Sequence, residues 1–100
     1  MNIEEWKNLS DSDRESFFHD SDKFNPYSDE AYALVHTLGR EMAAIEHLDQ
    51  EKVGVLNRFG ELIIELYVPA NEIDYFKGRN PRRYYGFRVV YSSERSWPHQ

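Results

Sequence analysis

Two adjacent stretches decide the fold: SDEAYALVHTLGREMAAIEHLDQ at residues 28–50 and KVGVLNRFGELIIELYV at residues 52–68. In the first stretch, apolar residues recur every three or four positions, as on one face of an amphipathic helix. The opening serine is a good N-cap, and the two acidic residues after it favour the positive end of a helix dipole. We therefore predict a long helix over about residues 29–50. Its apolar stripe consists of Ala31, Leu34, Val35, Leu38, Met42, Ile45 and Leu48.

The second stretch changes to a period of two, which indicates β-strands. Val53–Arg58 and Glu61–Val68 are predicted strands joined by a hairpin in which Gly60 supplies a positive φ. Arg83–Tyr91 alternates in the same way and is predicted as the last strand. The connection between the second and third strands is long enough for a parallel crossover, so their relative direction stays open.

The N-terminal residues predict two short helices. Asn2 with Glu5 and Ser12 with Glu15 both have the spacing of a capping box at a helix start. A polar loop containing Asn25-Pro26 follows. The predicted fold class is therefore α+β, with N-terminal helices, including the long one, packed on a three- to four-stranded, mainly antiparallel sheet.

The composition is that of one small folded domain. Of the 100 residues, 40% are hydrophobic and 15% aromatic, which favours a packed core over disorder. The chain has no cysteine, which excludes disulfides and thiolate zinc sites. Because the chain has no long apolar run and its N-terminus is acidic, we expect no membrane span and no signal peptide, and therefore a cytoplasmic protein. Its oligomeric state stays open between a monomer and a homodimer. We expect a single domain over 1–100, with short helices and a loop at 1–27, the long helix at 28–50, the sheet at 52–91 and a tail at 92–100.

Charge is divided unevenly along the chain. Residues 1–51 contain thirteen of the eighteen carboxylates and four Lys/Arg, a balance of −9, whereas residues 52–100 contain five carboxylates and eight Lys/Arg, a balance of +3. This division predicts either electrostatic polarity of the folded molecule or a basic segment neutralised by the acidic half.

The acidic part suggests a binding surface for a basic protein. Aspartates and glutamates there alternate with aromatic residues, and aromatic anchors within a complementary field are typical of inhibitors that mask a basic partner. We therefore predict a non-enzymatic, acidic protein-binding domain, of the kind found in inhibitor or immunity proteins that mask a basic partner. The alternative is a solvated surface that only aids solubility. The predicted partner-binding residues are Trp6, Phe17, Phe18, Asp20, Asp22, Tyr27, Asp29 and Glu30.

The basic segment KGRNPRRYYGFR at residues 77–88 supports a second hypothesis, a nucleic-acid-binding module. Its cations would meet phosphates while a tyrosine stacks on a base. The net charge of −6 and the turn residues within the segment argue against it. The residues of this hypothesis are Lys77, Arg79, Arg82, Arg83 and Tyr84.

A third hypothesis is a small metal-free ribonuclease. A carboxylate base, arginines for the phosphate and a histidine acid would suffice, because the RNA 2′-hydroxyl is the nucleophile. The residues would be Glu65, Arg83, Arg88 and His99, which resemble the set of small microbial ribonucleases only in order and residue type. The chain has no glycine-rich phosphate loop, no HExxH motif and no complete calcium loop, so we expect no cofactor and no metal. These absences favour the non-enzymatic interpretation.

Overall fold

The computed structural model describes residues 2–78 and 83–93 and consists of helices packed on a four-stranded mixed sheet. The predicted α+β class, with a long helix on a mainly antiparallel sheet, is confirmed. Within the described residues, no helix is long and apolar enough to span a membrane. The elements are α1 (Ile3–Asn8), α2 (Asp11–Phe18), α3 (Asp29–Ile45), β1 (Val53–Arg58), β2 (Glu61–Val68), a 3₁₀ turn (Ala70–Glu72), α4 (Ile73–Lys77), β3 (Arg83–Tyr84) and β4 (Phe87–Ser93).

The strand order of the sheet is β1-β2-β4-β3. β1 pairs with β2 and β3 with β4 in antiparallel fashion, whereas β2 and β4 are parallel. The sequence left the direction of the third predicted strand open; in the structure its main part, β4, runs parallel to β2, so the connection between them is a crossover. The crossover contains α4, and the ring of Phe76 in α4 lies 5.2 Å from that of Tyr91 in β4.

The predicted strand Arg83–Tyr91 is wrong in one respect, because a tight hairpin divides it into β3 and β4. Tyr85 and Gly86 form the turn with φ values of 49° and 93°. The β1–β2 hairpin has the same chemistry, since Phe59 and Gly60 have φ values of 53° and 91°. Two consecutive positive φ values are the signature of a type I′ turn. Because β2 and β4 are parallel, the two aromatic–glycine turns lie at the same end of the sheet.

The core lies between α3 and one face of the sheet. The predicted stripe of α3 is buried from Ala31 to Met42, against residues of β1, β2 and β4 that include Val53, Ile64 and Val89. Gly39 allows the close approach: a Cβ there would lie 2.6 Å from Cγ1 of Val53 and 3.2 Å from Cγ2 of Ile64. The helix can therefore sit closer to the sheet than any larger residue would permit.

The long helix ends at Ile45, earlier than the predicted residue 50. His47 has a φ of 60°, and the Leu48 N–H donates to the Ala43 carbonyl at 2.8 Å. This is a Schellman termination with histidine in the position that glycine usually occupies. Leu48 still packs against the core, but Ile45 is 58% exposed and leaves the predicted stripe.

The N-terminal helices begin at capping residues. Asn2 and Glu5 form the predicted capping box of α1. The prediction for α2 is wrong, because its N-cap is Ser10 rather than Ser12, and the Ser10 hydroxyl accepts the N–H of Asp13 at 3.1 Å. Ser10 is a favourable N-cap, and Asp13, three residues later, places a negative charge in the first turn, where it stabilises the helix dipole.

Candidate protein-binding site

Several carboxylates of the segment from Asp11 to Glu30 have no cationic partner among the described residues. Ion pairs between described residues include Lys7–Glu41, Arg14–Asp11, His19–Glu15 and Arg88–Glu61, at 2.6–3.4 Å. Among residues 2–78 and 83–93, the aspartates at 13, 20, 22 and 29 have no cationic partner within 4.0 Å. These four carboxylates are therefore not neutralised by a described cation, and the anionic binding surface stays a prediction.

Backbone turns fix the geometry of this acidic loop. Asp20 accepts the N–H of Asp22 at 3.0 Å, and its own carbonyl accepts the N–H groups of Lys23 and Phe24. Asn25 then accepts the N–H of Tyr27 at 2.9 Å, which carries the chain towards the start of α3. Asp20 thus stabilises the turn, whereas the side chain of Asp22 is exposed and has no hydrogen bond to another described residue.

The aromatic residues predicted to contact a partner differ widely in exposure. Tyr27 is 71% exposed, whereas Phe17 and Phe18 are half-buried against Trp6. Trp6 itself is completely buried, and its ring centroid lies 5.2 Å from that of Phe87. Trp6 therefore belongs to the core and has no surface to offer a partner, which corrects its place in the predicted set.

Phe59 is the exposed aromatic residue that sequence reasoning missed. It occupies the first position of the β1–β2 turn and is fully exposed, with a φ of 53°. In the sequence it reads as an ordinary turn residue before Gly60. The available signal was the aromatic residue itself at a hairpin tip, where asparagine or aspartate is usual.

A groove of two adjoining cavities runs beside these residues. The first, of about 320 Å³, lies between α2, the loop before α3 and the β1–β2 turn; its lining includes Phe18, Phe24, Phe59 and Leu62. The second, of about 470 Å³, lies between α2 and the β3–β4 turn. Both are lined by Glu15, Phe18, Arg83 and Gly86, so the two cavities adjoin at these residues.

The residues of the nucleic-acid hypothesis are only partly described. Lys77 and Arg83 are exposed, and Arg79 and Arg82 lie outside the described residues. Tyr84 is half-buried, and its hydroxyl donates to Glu41 at 3.1 Å. The proposed stacking residue is therefore engaged in a contact between β3 and α3.

Three of the four ribonuclease residues, Glu65, Arg83 and Arg88, share one sheet face. Strand register places Arg83 opposite Arg88, with Glu65 on the same face of β2. Glu65 accepts hydrogen bonds from Tyr67 and Ser92, both at 2.6 Å, while Arg88 pairs with Glu61. His99 lies outside the described residues. No group of three metal-ligating side chains occurs within the described part of the chain.

Two tyrosines should titrate late. Burial, reinforced by the hydrogen bond to Glu65, raises the pKa of Tyr67 from 10.0 to about 12. Burial and the bond to Glu41 raise the pKa of Tyr84 to the same range. Because both pKa values are higher in the folded than in the unfolded state, the protonated tyrosines stabilise the fold. This contribution is complete below pH 10 and is lost as the pH rises towards 12.

Tyrosinate absorbance against pH checks this expectation. We expect Tyr67 and Tyr84 to ionise about two pH units above the ordinary tyrosine pKa of 10.0, and unfolding to accompany their ionisation. Tyr67→Phe should remove one of these two late ionisations, and Tyr75→Phe, at an exposed position, should leave both unchanged. Equal ionisation of all tyrosines near pH 10 in folded protein would contradict the burial and bonding described for Tyr67 and Tyr84.

Comparisons with known proteins add no further information about the site. No protein-family model, no curated protein and no solved structure matches this chain.

Proposed function

We propose that the chain is a non-enzymatic protein-binding domain that masks a basic partner, as inhibitors of basic proteins do. Its docking surface consists of Asp20, Asp22, Tyr27 and Phe59, at the end of the sheet that carries both aromatic–glycine turns. Carboxylates without cationic partners would attract the partner, and exposed aromatic rings would supply the contact area.

The conformation and exposure of Phe59 carry this proposal. Phenylalanine in the left-handed region is strained, and the position would suit asparagine better. A fully exposed ring also recovers no burial energy from its own fold. Strained backbone concentrates at functional sites, where a role other than stability retains it.

Tyr85 shows how the same strain is compensated where the role is structural. Its φ is 49°, but its carbonyl accepts the indole N–H of Trp6 at 2.8 Å. Its ring lies 5.3 Å from the guanidinium of Arg14 and 5.4 Å from the ammonium of Lys7. Phe59 makes no ring contact or cation–π contact of this kind with any described residue.

Charge supports the same surface. The segment from Asp11 to Glu30 contains seven carboxylates and two Lys/Arg. Its aspartates at positions 20, 22 and 29 surround Tyr27 in the chain and lack cationic partners among the described residues. A field of this sign accelerates association with a basic protein and repels polyanions.

Paired turn substitutions test the proposal. Phe59→Asn should raise the free energy of unfolding by about 0.5–1 kcal/mol, because asparagine suits a type I′ turn. Tyr85→Asn, at the equivalent position, should lower it, because the ring contacts are lost. Proteins captured from the source cell by the wild-type chain are then purified, and their affinities for wild type and for each variant are measured by surface plasmon resonance. Phe59→Asn should lower the affinity for a basic partner at least about 30-fold, which is the effect expected of a hot-spot residue.

Charge reversal tests the electrostatic part. Asp22→Lys should slow association about tenfold at low salt and leave dissociation nearly unchanged. Glu51→Lys changes the net charge equally at the opposite end of β1, and should have a much smaller effect. Captured proteins that are not basic, or that bind Phe59→Asn and Asp22→Lys as tightly as wild type, would refute the proposed function.

A further inference from the structure

We infer that the groove binds one large apolar side chain of the partner, flanked by an arginine or lysine that meets Glu15. This inference rests on the proposed function and specifies the segment of the partner that the surface recognises. It differs from general electrostatic attraction, because it requires a particular side chain in a particular cavity.

The floor of the first cavity is apolar and firmly supported. Phe18, Phe24 and Phe87 face it, and each of these rings also lies within 5.2–5.6 Å of the buried Trp6 ring. Side chains held in this way lose little conformational entropy when a ligand arrives. The cavity is therefore formed before binding.

The size of the cavity suits a single anchor residue. About 320 Å³ is at the low end for small-molecule sites, which usually enclose most of their ligand. The cavity is partly open to solvent and its lining includes the fully exposed Phe59, so it can admit a side chain attached to a backbone outside. The exposed Phe59 ring would then cover the inserted group, because it lines the same cavity.

Three carboxylates, Asp11, Glu15 and Glu61, and two cations, Arg14 and Arg83, line the groove. This small excess of negative charge favours a basic residue next to that anchor. Glu15 lies on the shared wall of both cavities, is 71% exposed and has only His19, at 3.4 Å, as an ion-pair partner among the described residues. Glu61 lies across the first cavity but already pairs with Arg88 at 2.8 Å. A cation from the partner would therefore meet the carboxylate of Glu15, which is exposed and shared only with His19 among the described residues.

Defined peptides test this inference with the full chain. The probe is a fluorescein-labelled peptide with one tryptophan between two arginines; one control replaces tryptophan with alanine and another replaces the arginines with glutamates. By fluorescence anisotropy, the probe should bind at least about tenfold more tightly than either control. Its addition should shift the amide resonances of Phe18, Leu62 and Gly86.

Matched variants on α2 separate the groove from the general field. Glu15→Lys should weaken the probe at least about tenfold, whereas Asp13→Lys, which changes charge equally but lines neither cavity, should weaken it less than about threefold. Equal effects of the two variants, undetectable binding of the probe or shifts elsewhere on the chain would overturn the inference. The proposed function would still stand if Asp22→Lys and Phe59→Asn weakened a captured basic partner.

Discussion

Replacing Trp6 with alanine is expected to lower the free energy of unfolding by about 3–5 kcal/mol. The indole is completely buried and its centroid lies within 6.2 Å of the rings of four phenylalanines. Its N–H also donates to the Tyr85 carbonyl. Alanine would leave a large cavity between α1, α2 and β4 and an unpaired carbonyl in the β3–β4 turn.

Urea denaturation followed by far-UV circular dichroism measures this loss. Trp6→Phe is the matched control, because it keeps an aromatic ring and removes the indole N–H; we expect it to cost about half as much. The alanine variant should also lose binding to the tryptophan probe, since three rings that Trp6 contacts face the first cavity. A loss below about 1 kcal/mol would contradict the central position of Trp6.

The sequence predicted those elements whose signals are local. The apolar stripe of α3 and the alternation of β1 and β2 depend only on spacing. The two strands have the predicted bounds, and α3 begins at the predicted residue but ends five residues early. The capping box at Asn2 was likewise visible within four consecutive residues.

The features that the sequence did not predict depend on distant contacts. Tyr85 bends the chain because Trp6, 79 residues earlier, donates to its carbonyl, and no neighbouring residue signals that bond. His47 ends α3 in place of a glycine, so the stripe seemed to continue. Trp6 was assigned to the surface because its sequence neighbours are acidic, although its spatial neighbours are phenylalanines.

The candidate site was predicted in composition but not in shape. The acidic loop and Tyr27 were identified from charge and aromatic content. Phe59 and the groove were not, because they arise where the β1–β2 turn meets α2, and that meeting follows from the parallel pairing of β2 and β4. Sequence periodicity does not determine that pairing.

Arg14 is the second residue whose loss should have a large effect, and its position within an acidic stretch concealed its structural role. Its side chain is buried, and each part of the guanidinium has a partner. Nε donates to the Trp6 carbonyl at 3.2 Å and one terminal nitrogen donates to the Lys7 carbonyl at 3.1 Å. The other terminal nitrogen donates to Asp11 at 2.6 Å. The group thus closes the end of α1 onto α2.

Arg14→Met should therefore lower the free energy of unfolding by about 2–4 kcal/mol, although methionine fills much of the same volume. The Lys7 and Trp6 carbonyls lose the guanidinium as a donor, although Trp6 keeps the N–H of Leu9, and the Tyr85 ring loses a cation at 5.3 Å. Arg14→Lys should recover only part of the loss, because an ammonium cannot reproduce the planar fork. The same substitution at exposed Arg40 serves as the control and should change stability by less than about 0.5 kcal/mol. If Arg14→Met were equally harmless, the guanidinium would not join α1 to α2, and the wall of the second cavity would need another support.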